Sequence, residues 1–178
     1  MTPMGIQEAV CVIVGNSIGD RNPGLAWKYW KMTSLITWIY SAILTSVLII
    51  YKEAIFSIFT SEPSMLTLLY SAMPLVAFKY IFDAYQGVLQ GTIRALGMQK
   101  QASWICVTIA YTVTIPVGCV LAFYFELGIN GLVLGSATSN LLQTLLFLRL
   151  VLVGTDWNKT SKDAVERIEA EIETIKDK

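Results

Sequence analysis

Apolar residues fill long runs of this chain, and short polar stretches separate them. A helix needs about 20 apolar residues to cross the hydrocarbon core of a bilayer. The run between Lys31 and Lys52, MTSLITWIYSAILTSVLIIY, carries no charge and meets that length, which predicts a span over 32–51. Further helices are predicted over 64–95, 101–125 and 129–150. A shorter one covers 4–18, apolar but for Gln7, Glu8 and Asn16. Between them, DRNPG at Asp20 to Gly24 is turn chemistry, and 52–63 reads as a loop in which Ser61 caps the next helix and Pro63 occupies its first turn. Pro74 predicts a kink in the third helix. Pro116 and Gly118 interrupt the fourth, and a proline at membrane depth needs neighbours that re-satisfy the freed carbonyl, so that side is expected to face protein.

Small residues recur at four-residue spacing in three places: Gly15 and Gly19, Gly87 and Gly91, and Gly131, Gly135 and Ser139. Such pairs let helix backbones approach closely in lipid and are read as packing seams. Trp27, Tyr29, Trp30 and Tyr51 flank the second run and are expected to anchor it at the two interfaces.

Composition agrees with the pattern. With 54% hydrophobic and 15% charged residues in 178, the chain is too greasy for an ordinary soluble domain. The 13 basic and 13 acidic residues cancel, so charge points to no nucleic-acid partner. Cys11, Cys106 and Cys119 all fall in apolar runs and are read as small buried residues. There is no histidine, so no Cys/His metal spacing exists. From Thr155 the composition turns charged, and Val165, Ile168, Ile172 and Ile175 form one apolar stripe on a short amphipathic helix within 158–178. Its acidic excess argues against tight binding to anionic lipid. A mobile cytoplasmic helix is the expected state, and docking on the protein's own loops is the second reading.

One charge stands out. Asp83 lies inside the third helical run, and an acid at mid-bilayer costs roughly 3 kcal/mol on insertion scales, which makes it a functional candidate by default. Asp83, Gly87, Gln90 and Gly91 share a helical face, with Gln86 beside them and Tyr80 and Tyr85 off to the sides. Lys79, one turn earlier, is close enough to pair with Asp83. Burial favours the neutral acid and a lysine favours the carboxylate, so Asp83 is either a titrating site or a structural charge. Glu8 is either a second intramembrane acid or a residue near a helix end in water or headgroups. Asn140 and Gln143 are read as interhelical hydrogen-bonding groups.

Basic residues orient the chain. Arg21, Lys28 and Lys31 follow the first run, Arg94 and Lys100 the third, and Arg149, Lys159 and Lys162 the fifth, whereas the other two connections hold only Lys52. By the positive-inside rule the first, third and C-terminal connections are cytoplasmic. The glycosylation sequon at Asn158 then lies inside. The N-terminus falls outside without a signal peptide, and a missing upstream helix is therefore expected.

The segments PMGIQEAVCVIVGNSIGD, FDAYQGVLQGTIRALGMQK, IPVGCVLAF and GINGLVLGSATSNLLQ resemble, in order and spacing, the second half of the multidrug and toxic compound extrusion (MATE) transporters of eukaryotic type, over roughly residues 3 to 157. The resemblance implies twelve helices in two lobes, of which this chain would supply the eighth to the twelfth. It implies a proton- or sodium-coupled antiporter that expels small organic cations or amphiphiles, without an organic cofactor, in a plasma or vacuolar-type membrane. Asp83 matches the acidic position of the family's tenth helix, and Gln86, Gln90 and Glu8 would complete a polar cavity. The partner acid of the seventh helix would precede Met1. Glu8, Ile13 and Lys79 depart from the usual pattern. Two other readings stand beside it: a structural membrane subunit without transport, and a lipid flippase of a related superfamily, which would favour a basic cavity over an aspartate. An enzyme fits least, because no nucleophile–base pair, metal cluster or phosphate loop is present.

Overall fold

The structure is a computed structural model that describes residues 2–59, 62–163 and 165–166. Among these residues there is no strand. Among the described residues six helices precede the tail: α1 Thr2–Gly19, α2 Pro23–Ile50, α3 Lys52–Phe59, α4 Pro63–Ala95, α5 Gln99–Tyr124 and α6 Gly128–Leu152. Four of them, α2, α4, α5 and α6, are long and apolar enough to cross a membrane, and Met4–Gly19 is a shorter apolar helix.

Local chemistry sets most boundaries. In the α1–α2 turn Arg21 adopts a positive φ of 56°, the Asn22 side chain accepts from the Leu25 amide at 3.1 Å, and Pro23 opens α2, so the turn expected from DRNPG is a capped helix start. Pro63 likewise opens α4. Its N-cap is Glu62, and Ser61, expected to cap, lies outside the described residues. The predicted loop over 52–63 is mostly the helix α3. Residues 52–59 hold no glycine or proline to stop a helix, and Lys52 lies over the Tyr70 ring while Phe56 packs on Tyr70 at 5.9 Å, which holds α3 against α4. After α4 the chain turns on Gly97 at φ 71°, a left-handed conformation that glycine adopts without a Cβ penalty.

α5 runs through Pro116 without ending. Two stretches of wider π-type turns, Ala110–Thr114 and Val120–Tyr124, flank it and re-route the backbone bonds. The side carrying Gly118 faces α6, as expected: a Cβ on Gly135 would come within 2.5 Å of the Gly118 Cα, and one on Gly131 within 2.6 Å of the Ala122 nitrogen. A Cβ on Gly91 would run into the Gln7 carbonyl of α1. In lipid, where burying apolar surface drives little association, such backbone approaches supply much of the packing. Gly15 and Gly19 do not form such a seam. The nearest neighbour of a Gly15 Cβ is Ala95 at 3.9 Å, and Gly19 has none within 4 Å. Val10, Val14 and Ile18 occupy the contact line of α1 instead, and each glycine sits one position round from it.

α4 lies at the centre. Tyr85, Val88, Leu89 and Ile93 of α4 pack with Val10, Val14 and Ile18 of α1, Trp30 of α2, and Phe147 and Val151 of α6. The three cysteines depart from the buried reading: Cys11 and Cys106 are half-buried and Cys119 is exposed on the outer side of α5. Trp27 and Trp30 also depart from a purely anchoring role. Their rings meet at 4.8 Å and both pack on Trp157, leaving Tyr29 and Tyr51 as the exposed aromatics of the flanking four.

The three basic connections lie at one end of the bundle. Ser161 donates to the Ile18 carbonyl at 2.8 Å, and Thr155 reaches Met98 at 3.1 Å. At the opposite end Asn130 meets Ser71 at 3.4 Å. The described part of the tail begins as a helix over 157–163, capped by Asp156, and Ser161 and Val165 are buried. This section packs on the end of α1, where the Ile18 carbonyl accepts from both Ser161 and the Arg21 amide, and Trp157 packs on Trp27 and Trp30 of α2. Ile168, Ile172 and Ile175 lie outside the described residues.

Candidate functional site

Asp83 sits about a dozen residues before the end of α4, about 18 Å along a helix that rises 1.5 Å per residue, a distance comparable to half the roughly 30 Å thickness of a hydrocarbon core. Asn140 occupies the corresponding level of α6. The two meet: the Asn140 amide donates to Asp83 Oδ1. On the other oxygen, Lys79 Nζ lies 3.3 Å from Oδ2, the i, i+4 pair read from the sequence. Both carboxylate oxygens are thus engaged, one from a neighbouring helix and one from the same helix.

Asp83 opens on a cleft of about 250 Å³ lined by Met4 and Gln7 of α1 and by Tyr80, Gln86, Gly87 and Gln90 of α4. The Asp83 and Lys79 side chains are 40% and 31% exposed. Charges at this depth are not stable against hydrocarbon, so this side faces water or further protein. The Tyr80 hydroxyl is buried without a hydrogen-bond partner. Gln7 and Gln90 also line a second cleft, of about 400 Å³, which runs toward the basic end past Arg94, Gln99, Ser103 and Cys106. The two clefts therefore adjoin at these two amides.

The structure thus brings Asp83, Gln86, Gln90 and Gly87 together and pairs Lys79 with Asp83. Glu8 goes elsewhere: its carboxylate takes a bond from Arg94 at 2.5 Å across the α1–α4 seam and does not line the Asp83 cleft. Gln143 binds Cys106 at 2.7 Å, the interhelical role expected of it. Asn140 plays the same interhelical role, and its partner is the acid itself. Tyr80, expected off to the side, lines the cleft, since a residue three before Asp83 shares its face. Tyr85 does lie aside, packed on Trp38 at 5.3 Å. Gln7 is recognisable in the sequence only as a polar interruption in an apolar run. Among the described residues no cluster of histidine, cysteine and carboxylate side chains could hold a metal ion.

Membrane-length helices around a polar, charge-bearing cleft define an integral, multi-pass membrane protein. The profile of the family described as MatE matches residues 1–120, and the chain belongs to that family. It is similar to the crystal structure of the eukaryotic MATE transporter AtDTX14, with a TM-score of 0.88 and 27% identity, over 93% of this chain and 37% of that one. Protein DETOXIFICATION 16 of Arabidopsis thaliana is 32% identical over 96% of this chain and 35% of its own length. Multidrug and toxin extrusion protein 1 of Oryctolagus cuniculus is 30% identical over 92% of this chain and 29% of its own length. The chain spans about a third of the length of these relatives.

Proposed function

We propose that the chain forms part of a cation-coupled antiporter that expels small organic cations or amphiphiles, and that Asp83 is the group on which the coupling proton or sodium ion and the cationic substrate alternate. One observation carries the reading: within an apolar helix of membrane-spanning length a carboxylate faces a cleft whose other polar side-chain groups are the neutral amides of Gln7, Gln86 and Gln90. Such groups orient a cation without competing for it. A carboxylate offers one negative charge, so a proton, a sodium ion or an organic ammonium can each neutralise it and none binds well beside another. The names of the relatives, as extrusion proteins and transporters, agree with this chemistry. Further helices of a twelve-helix transporter would cover the open side of the cleft. The basic connections support a cytoplasmic C-terminus.

The test is tetraphenylphosphonium efflux from vesicles containing the intact transporter of which the chain forms part, driven by an imposed proton or sodium gradient. Asp83→Asn keeps the shape and the Asn140 contact but removes the charge, and efflux is expected to fall tenfold or more, the equivalent of about 1.4 kcal/mol. Efflux that persists in Asp83→Asn with the same dependence on the gradient removes Asp83 from the mechanism.

A further inference from the structure

We infer that Lys79 is a tethered cation that occupies the Asp83 site whenever no other cation does, so that binding to Asp83 is a displacement rather than a filling of an open charge. The inference rests on the reading of Asp83 as a cation site. Lys79 Nζ stands 3.3 Å from Oδ2 while Asn140 holds Oδ1, so the chain's own groups neutralise and hydrogen-bond the carboxylate. An incoming monocation therefore meets a site of no net charge and gains little until the ammonium leaves. From α1, Met4 and Gln7 line the cleft, and from α6 only the Asn140 amide reaches the acid; Tyr80 is the other titratable group among the lining residues. Glu8 is held by Arg94 and does not face Lys79's partner.

The geometry also makes the lysine easy to displace. Lysine preceding its acid by four residues is the weaker orientation of a helical ion pair, and the side chain is partly exposed on a flexible four-carbon stem. An arginine reaching across from another helix, like that of the Glu8 pair, would be tied to the packing of the bundle. Among the described residues Lys79 forms its ion pair within its own helix. It can swing outward when a cation arrives and return to help expel it, which keeps the acid from being left bare at any stage. If the lysine occupies the site nine-tenths of the time, apparent affinity for an external cation is weakened about tenfold.

The test is equilibrium binding of radiolabelled tetraphenylphosphonium to the full chain in lipid nanodiscs. Lys79→Met should bind about tenfold more tightly than the unaltered chain, and Lys79→Arg, which keeps a cation in place, should not tighten at all. Asp83→Asn should lose binding both alone and when combined with Lys79→Met. Loss with Asp83→Asn but no gain with Lys79→Met overturns the tethered cation and leaves the site. Binding that survives Asp83→Asn, or that is absent from every form, overturns both. A second measurement needs no variant: acylation of the Lys79 amine, followed by mass spectrometry, should speed up when tetraphenylphosphonium is added. Unchanged or slower acylation contradicts displacement.

Discussion

Two carboxylates lie in the apolar helices around the α1–α4 contact, and they are treated in opposite ways. Glu8 meets Arg94 from a different helix at 2.5 Å, so the pair fastens α1 to α4. Asp83 meets Lys79 from its own helix at 3.3 Å, its tie to another helix is the neutral Asn140 amide of α6, and the cleft beside it carries the amides of Gln7, Gln86 and Gln90. The difference teaches how an intramembrane acid can be kept available. Pairing across a seam commits a charge to the fold, whereas pairing along one helix neutralises it without committing it. We propose that Glu8 is the structural member of the two and Asp83 the functional one.

Variants can sharpen this contrast. The seam itself should matter most to stability: Gly91→Leu drives a side chain into the Gln7 carbonyl and should cost about 3 kcal/mol, read as a large fall in the thermal midpoint of the purified chain in detergent. A midpoint unchanged by Gly91→Leu would mean that α1 and α4 do not pack as described. Next in size, Asn140→Leu removes a hydrogen bond to a charged group and should cost about 2 kcal/mol in the same assay, together with weaker cation binding. If stability drops and binding stays intact, Asn140 belongs to the packing and not to the site. Smallest is Glu8→Gln. Its pair is largely exposed, with Glu8 at 61%, and its loss should cost about 1 kcal/mol or less while leaving cation binding within about twofold. A tenfold change in binding would place Glu8 in the cation pathway after all.

Much of this is legible along the chain, and the boundary is a physical one. Length and apolarity locate α4, α5 and α6, and basic residues alone group the three connections that the structure gathers at one end. Asp83, Gln90 and Gly91 can be assigned a common face because a helix repeats every 3.6 residues. Contacts between distant segments leave no such trace. The bond from Asn140 to Asp83 joins positions 57 apart, and Asn140 resembles any other interhelical amide until α6 is laid beside α4. The same holds for Arg94, which reads as a loop charge but reaches back to Glu8, and for Trp157, whose ring completes a cluster begun by Trp27 and Trp30. Gly15 and Gly19 have the spacing of a seam and miss it by one step round the helix. Spacing identifies which residues share a face, but the partner decides which face is used.

The most direct measurement is tetraphenylphosphonium binding to two variants side by side, Asp83→Asn and Glu8→Gln, in the same nanodiscs. The account predicts that Asp83→Asn loses binding tenfold or more while Glu8→Gln stays within about twofold of the unaltered chain, a separation of at least about 1 kcal/mol between two acids of one bundle. Equal losses in the two variants, or a loss confined to Glu8→Gln, would contradict it.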